Sequence, residues 1–111
     1  MSLSIGDQAP GFHLPDTEGR TWSATGADAP ATVVVFTCNH CPYALAWHER
    51  IAQVARDYAE RGVRVLAINP NDAERYPRDS LEAMRSRVRN EEWPMPYLHD
   101  ATQTVARDYG A

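Results

Sequence analysis

The residue types with the most chemistry available to them are gathered in one hexapeptide, Thr37-Cys38-Asn39-His40-Cys41-Pro42, which holds both cysteines of the chain. Two thiols separated by two residues can close a small disulfide ring and reopen it by exchange. Only a thiolate attacks a disulfide or a peroxide, and a free thiol ionises near a pKa of about 8.5, so the motif needs a local source of positive potential. The flanking sequence offers one. Ala31-Thr32-Val33-Val34-Val35-Phe36 is a short apolar, β-branched run suited to a buried strand, and Tyr43 to Arg61 has helical periodicity. The cysteines therefore fall where a strand ends and a helix begins, and a helix start presents unpaired N–H groups and roughly half a positive charge. On this reading Cys38 is the exposed nucleophile and Cys41 its resolving partner. A protonated His40 adds to the stabilisation of a Cys38 thiolate. Pro42 sets the start of the helix with Cys41 as its cap, because proline is welcome in the first turn and pushes the preceding residue out of helical dihedrals.

The same spacing serves zinc and iron–sulfur sites, but those take a second pair of ligands and the chain has no further cysteine. A rival of another class is a copper or zinc carrier using Cys38, His40 and Cys41, with His99 as a distant fourth ligand. Geometry weighs against it, since three ligands within four residues seldom all face one ion from a helix start. Two buried structural thiols are the bland alternative. Asn39 and His40 are polar and suggest a solvent-facing turn, which favours the redox reading, and that reading calls for neither a cofactor nor a resident metal.

Composition narrows the function further. A chain of 111 residues with 43% hydrophobic content suits one small domain with one core. The net charge of -4 argues against a nucleic-acid surface, and the eleven basic residues are all arginines scattered along the sequence. With no lysine, Schiff-base chemistry and a phosphate-loop lysine are excluded. The residues from Met1 to Asp7 have neither a basic region nor an apolar core, and no segment is apolar enough for a membrane span. A cytoplasmic protein with reduced, working thiols is the expectation.

The remaining elements are those needed to hold the motif. Phe12 and Leu14, alternating around a solvent-facing His13, and Arg20 to Ser23 are expected to form a hairpin across the Pro15 to Gly19 turn, with Trp22 plugging the core. Thr25 to Pro30 reads as a small-residue loop. In the long helix Trp47, Ile51, Val54, Ala55 and Tyr58 make an apolar stripe, while His48 and Glu49 are assigned to a solvated face. Gly62 ends the helix, and Val63 to Ile68 is the next strand, parallel to the first. The Asn69-Pro70-Asn71-Asp72 turn then lies at the same sheet end as the cysteines, which makes Asn69 a candidate neighbour of the site. Asp79 or Ser80 caps a helix from Leu81 to about Glu91, whose Arg85, Arg87 and Arg89 are expected on a solvated face. Tyr97 to His99 reads as a short strand, and Asp100 as the cap of a last helix reaching Tyr109.

Taken together, Gly6-Asp7-Gln8-Ala9-Pro10 with Phe12 and Leu14, the Asp16 to Gly19 turn, the strand running into Cys38-Asn39-His40-Cys41-Pro42, and the Asp100 to Gly110 helix resemble the thioredoxin-fold superfamily, specifically its peroxiredoxin-like branch of the alkyl hydroperoxide reductase/thiol-specific antioxidant type. The resemblance covers nearly all of the chain. It implies one α/β domain over residues 1–111, with a thioredoxin-like sheet, flanking helices, an N-terminal β-hairpin and an inserted helix and strand. The residue reading beside it makes Cys38 and Cys41 catalytic, with Thr37, Asn39, His40, Pro42 and Asn69 in support, and a disulfide-containing protein or small thiol the expected substrate.

Two departures follow from the same comparison. Peroxiredoxins place their peroxide-reacting cysteine at the position of Cys41, a threonine at that of Cys38 and a proline at that of Val34, so the peroxide pocket is not carried over, although a peroxidase using Cys41 with Cys38 as resolver is an alternative. Members of the superfamily also continue into a proline-led strand, a further strand and a helix. The expectation is a fragment of a longer protein, or a sheet completed by another chain such as a second copy.

Overall fold

The computed structural model describes residues 3–24 and 29–111, so most of the expected Thr25 to Pro30 loop lies outside the described residues. The element order is β1 (His13–Pro15), β2 (Thr21–Ser23), β3 (Ala31–Phe36), α1 (Pro42–Ala59), β4 (Val63–Asn69), a short 3-10 turn (Pro77–Asp79), α2 (Leu81–Asn90), β5 (Tyr97–His99) and α3 (Thr104–Tyr109). β4 is the middle of a parallel three-stranded sheet with order β3-β4-β5, and β1 and β2 form a separate antiparallel pair. Residues Val65 to Asn69 of β4 are all buried, as a parallel strand covered on both faces must be.

Strand alternation divides this burial between two cores. Val65 and Ala67 face Ala52 and Ala55 of α1, Met84 of α2, and Trp93, Met95 and Tyr97. Leu66 and Ile68 face Phe12, Leu14, Leu98 and Val105 on the side of the hairpin and α3. Asp16 ties the hairpin to the sheet through a bridge to Leu98, and its carboxylate accepts from the Glu18 and Arg20 amides and from Trp22 Nε1.

Three expectations need correcting. The α1 stripe is rotated from the one expected: Ala55 is buried and Ile51 packs on the core as expected, but the other buried residues are His48 and Ala52, whereas Trp47, Val54 and Tyr58 are exposed. Trp47 instead borders a cleft with Val35 and Phe36 of β3. β3 is only half-buried, with Val33 exposed, because it forms one edge of the sheet among the described residues. The arginines of α2 are not simply solvated. Arg85 donates to the Thr17 carbonyl, Arg87 to Asn39 Oδ1, and Arg89 pairs with Glu18.

The α1-to-β4 turn follows the expected chemistry. Gly62 has φ of +78°, and a Cβ there would meet Pro30 Cδ at 3.1 Å, so both the backbone angle and the close approach call for glycine. The helix itself ends at Ala59.

Candidate active site

The parallel register pairs Phe36 with Ile68 and Asn69 with His99, so β3, β4 and β5 end together. Their carboxyl ends release the Thr37 to Cys41 loop, the Pro70 to Tyr76 segment and Asp100, at the sheet end where α/β folds gather functional groups. α1 begins at Pro42 with Cys41 as N-cap in an extended conformation, as the proline requires.

Between the two strand ends stands Asp79, the last residue of the 3-10 turn, fully buried. Its Oδ1 accepts the Asn39 backbone N–H at 2.6 Å and Asn69 Nδ2 at 2.9 Å. Its Oδ2 accepts Asn71 Nδ2 at 3.1 Å and is in close contact with His40 Nδ1. Burial raises the pKa of this carboxyl, but the four donors outweigh burial and hold it below the ordinary carboxylate range. The site is thus built around a buried anion that anchors the loop between the cysteines.

Asn39 and His40 do not form the solvent-facing turn expected. Asn39 is buried, its Nδ2 donating to the Arg78 carbonyl and its Oδ1 accepting from Tyr97 OH at 2.9 Å and Arg87 Nε at 3.0 Å. His40 is partly buried, bonded to Asp79 and stacked on Tyr76 with ring centroids 4.6 Å apart. Thr37 and Cys38 are buried as well.

The two sulfurs have opposite environments. Cys38 is 9% exposed. Burial pushes its thiol pKa up, against the pull of the Cys41 and His40 backbone amides, and the Asp79 and Cys41 charges push it further up. Cys41 is half-buried, and its pKa is lowered, first by the Ala44 and Tyr43 backbone amides and also by a hydrogen bond from Cys38. These amides act on the sulfur although no full side-chain capping bond is formed. The expected placement of Cys38 as the exposed, thiolate-prone sulfur is therefore corrected: that environment belongs to Cys41. Both thiols are free.

Cys41 opens onto a cleft of about 260 Å³ lined by Phe36, Thr37, Cys38, Ala44, Pro70 and Asn71. Phe36, Thr37 and Ala44 also line an adjoining apolar cleft of about 350 Å³ that extends along Val35, Tyr43, Trp47 and Ile51.

Of the supporting residues, Asn39, His40 and Asn69 converge on Asp79, Pro42 starts α1, and Thr37 points elsewhere. Thr37 Oγ1 is 2.8 Å from Nε2 of His48, a buried imidazole packed edge-on to Trp93 and not on the solvated face assigned to it. His99 is half-buried with its Nε2 unpartnered among the described residues, and it is not part of the cysteine cluster.

Sequence reasoning did not assign Asp79, Tyr76, Asn71, Arg87 or Tyr97 to the site. Asp79 had a signal, an acidic residue directly before a helix, but Ser80 satisfies that cap by accepting from the Ala83 amide. The freed carboxylate can therefore turn inward.

A parallel sheet whose first strand releases a C-x-x-C motif onto the N-terminus of a long helix, with a hairpin ahead of it and an inserted helix and strand, defines a thioredoxin-like protein of the peroxiredoxin-like branch. The chain belongs to the AhpC/TSA family, whose model matches residues 5–111. Among solved structures it is 41% identical to a hypothetical protein of Sinorhizobium meliloti, with a TM-score of 0.93, covering 100% of this chain and 61% of that one. It is likewise 41% identical to an uncharacterized conserved protein of Geobacillus kaustophilus, with a TM-score of 0.92 and coverage of 97% and 58%. Peroxidoxin BcpB of Mycobacterium tuberculosis shares the fold at 22% identity and a TM-score of 0.76, covering 95% of this chain and 64% of that one. The chain thus spans about three fifths of the length of the Sinorhizobium and Geobacillus proteins. Comparison with curated proteins gave no match.

Proposed function

We propose that the chain is a thiol–disulfide oxidoreductase in which Cys41 attacks and Cys38 resolves, the reverse of the order expected from the sequence. The observation that carries this reading is the contrast between the sulfurs: Cys41 is accessible at the helix N-cap with a lowered pKa, and Cys38 is buried with a raised one. The Cys41 thiolate attacks one sulfur of a substrate disulfide and expels the other as a thiolate. Cys38 then gives up its proton and attacks the Cys41 sulfur, which forms the Cys38–Cys41 disulfide and releases the second substrate thiol. The protein is oxidised by two electrons, the substrate is reduced, and a dithiol donor resets the pair. The hydrogen bond between the two side chains supports this order, since Cys38 already lies within reach of Cys41.

The apolar clefts beside Cys41 suit a disulfide carried on a protein or on a small thiol with apolar substituents. No described helix is long and apolar enough to cross a membrane. A working dithiol fits a reducing compartment such as the cytoplasm.

Replacing Cys41 with serine is expected to abolish turnover, and replacing Cys38 is expected to trap substrate on Cys41 as a mixed disulfide visible by mass spectrometry. Trapping on Cys38 in the Cys41→Ser variant would restore the opposite order. A peroxidase reading rests on the same lowered pKa at Cys41, with Cys38 condensing onto its sulfenic acid. Insulin reduction without hydrogen peroxide consumption supports exchange, and the converse supports the peroxidase.

A further inference from the structure

Cys38 Sγ, a ring nitrogen of His40 and a carboxylate oxygen of Asp79 lie within 4.8 Å of one another. The set crosses the fold: two members come from the loop after β3 and the third from the turn before α2. It is also rigidly supported, because the Asn39 amide and the Asn69 and Asn71 side chains hold Asp79 in place. Anchoring the loop would not by itself require Asp79 to lie close to a sulfur.

The donor chemistry is specific. A thiolate, an imidazole and a carboxylate are the three side-chain types that bind zinc. Ligand atoms around a tetrahedral zinc stand about 3.5 Å apart, given metal–ligand bonds of roughly 2.0–2.3 Å. His40 Nδ1 and Asp79 Oδ2, bonded to each other, must part to admit an ion, and His40 can supply that movement because its side chain is 30% exposed whereas that of Asp79 is fully buried.

Charge points the same way. With Cys38 as a thiolate, two anions would share a buried space, and the His40 imidazole is already engaged with one of the two. A divalent cation between Cys38, His40 and Asp79 offsets both anions at once. Cys41 lies outside the three-residue set.

We propose that Cys38, His40 and Asp79 form a redox-gated site for a zinc-like divalent cation, filled in the dithiol form and dismantled when Cys38 joins Cys41 in a disulfide. Binding replaces the Cys38 thiol proton with the ion. In the oxidising direction the Cys41 thiolate and the metal-held Cys38 thiolate give two electrons to a substrate disulfide, which leaves as two thiols with both protons drawn from solvent. The sulfur ligand is consumed and the ion departs. The ligand set differs from a simple chelate by Cys38, His40 and Cys41, because it includes a carboxylate about forty positions downstream and excludes Cys41.

The test is titration of the purified dithiol protein with Co²⁺, read by the sulfur-to-cobalt charge-transfer band, followed by displacement with Zn²⁺. The expected result is one equivalent bound by the unmodified protein and by Cys41→Ser. Cys38→Ser, Asp79→Asn and the chemically oxidised disulfide form are expected to bind roughly 10–100-fold more weakly or not at all. If Asp79→Asn fails to fold, His40→Phe keeps the ring stacked on Tyr76 and removes the nitrogen donor, and it must show the same loss. Absence of a thiolate–cobalt band in the unmodified protein overturns the proposal. So does loss of the band in Cys41→Ser with retention in folded Asp79→Asn, which would assign binding to the C-x-x-C loop alone. No step of this experiment involves turnover, so failure of disulfide exchange and failure of the metal site are distinguishable.

Discussion

On one side of the β3–α1 unit, His48, Trp93 and Tyr97 pack into a closed core and Asp79 accepts from Asn39, Asn69 and Asn71, whereas on the other side Val33, Tyr43, Trp47, Val54 and Tyr58 stand in the open. Tyr43 is 83% exposed and Trp47 is 54% exposed, values out of keeping with residues of their size on a helix that packs on a sheet. The cysteines sit on the border. Cys38 belongs to the closed side and is kept as a thiol by burial, and Cys41 belongs to the open side and is favoured as a thiolate by helix amides. Two identical side chains three positions apart thus acquire different chemistry from packing rather than from their neighbours in sequence.

The strongest way to break this contrast is to remove the anchor of the closed side. Asp79→Ala leaves the Asn39 amide, Asn69 Nδ2, Asn71 Nδ2 and His40 Nδ1 without their acceptor. A loss of about 3–5 kcal/mol is expected from losing a buried, hydrogen-bonded carboxylate. The measurement is urea unfolding, with alkylation of Cys38 in the folded state as a second readout. Faster labelling of Cys38 with little change at Cys41 is the expected pattern. In the unaltered protein, the stabilisation from Asp79 is present above its unfolded pKa of 3.8 and is lost as the pH falls through the lowered native value. A loss under 1 kcal/mol with unchanged Cys38 labelling would mean that Asp79 is not what separates the two sulfurs.

How much of this was legible in the sequence follows the same division. The strand, the proline-set helix start, the parallel β4 and the inserted α2 and β5 could be read from residue runs and punctuation, because those signals are local. The rotated face of α1 could not. Trp47, Ile51, Val54, Ala55 and Tyr58 make the more hydrophobic stripe, of which Ala55 and Ile51 do pack inward, but the buried face is completed by His48 and Ala52, which carry little hydropathy. Burial of Asn39 and Asp79 was hidden for another reason. Each is an ordinary turn or cap residue by type, and only the meeting of segments about forty positions apart supplies the partners that make burial tolerable.

The open side makes a smaller prediction. β3 is a sheet edge among the described residues, and the apolar cleft along Val35, Tyr43, Trp47 and Ile51 lies beside it. Such an edge and face are expected to self-associate at micromolar concentration, with a second copy covering them. Light scattering should report a mass above that of one chain. Trp47→Glu, alone or with Val33→Lys to charge the edge, should bring it down while changing monomer stability by no more than about 1 kcal/mol. A monodisperse, cooperatively folding monomer of the unaltered chain would contradict the prediction. A Trp47→Glu protein that loses several kcal/mol would show that this side is packed after all.

The smallest expected effect concerns His48, which links the closed core to the residue before Cys38. Its Nε2 is bonded to Thr37 Oγ1, Trp93 packs against its ring, and Arg87 and Glu91 of the α2 region are the charges that act on it. Burial, reinforced by Arg87, lowers its pKa below 6.5. The unfolded chain therefore takes up a proton at a higher pH than the folded one does. The stability tied to the neutral ring is complete above 6.5 and declines as the pH falls below that value towards the lowered native pKa. Urea midpoints measured at about pH 7.5 and about pH 5.5 should differ for the unaltered protein, and the difference should shrink in His48→Gln, which keeps a polar partner for Thr37 but does not titrate in that range. Because Thr37 lies beside Cys38, acidification in this window should also speed Cys38 labelling relative to Cys41. An unchanged pH difference in His48→Gln would mean that the charge state of this ring does not couple the core to the buried thiol.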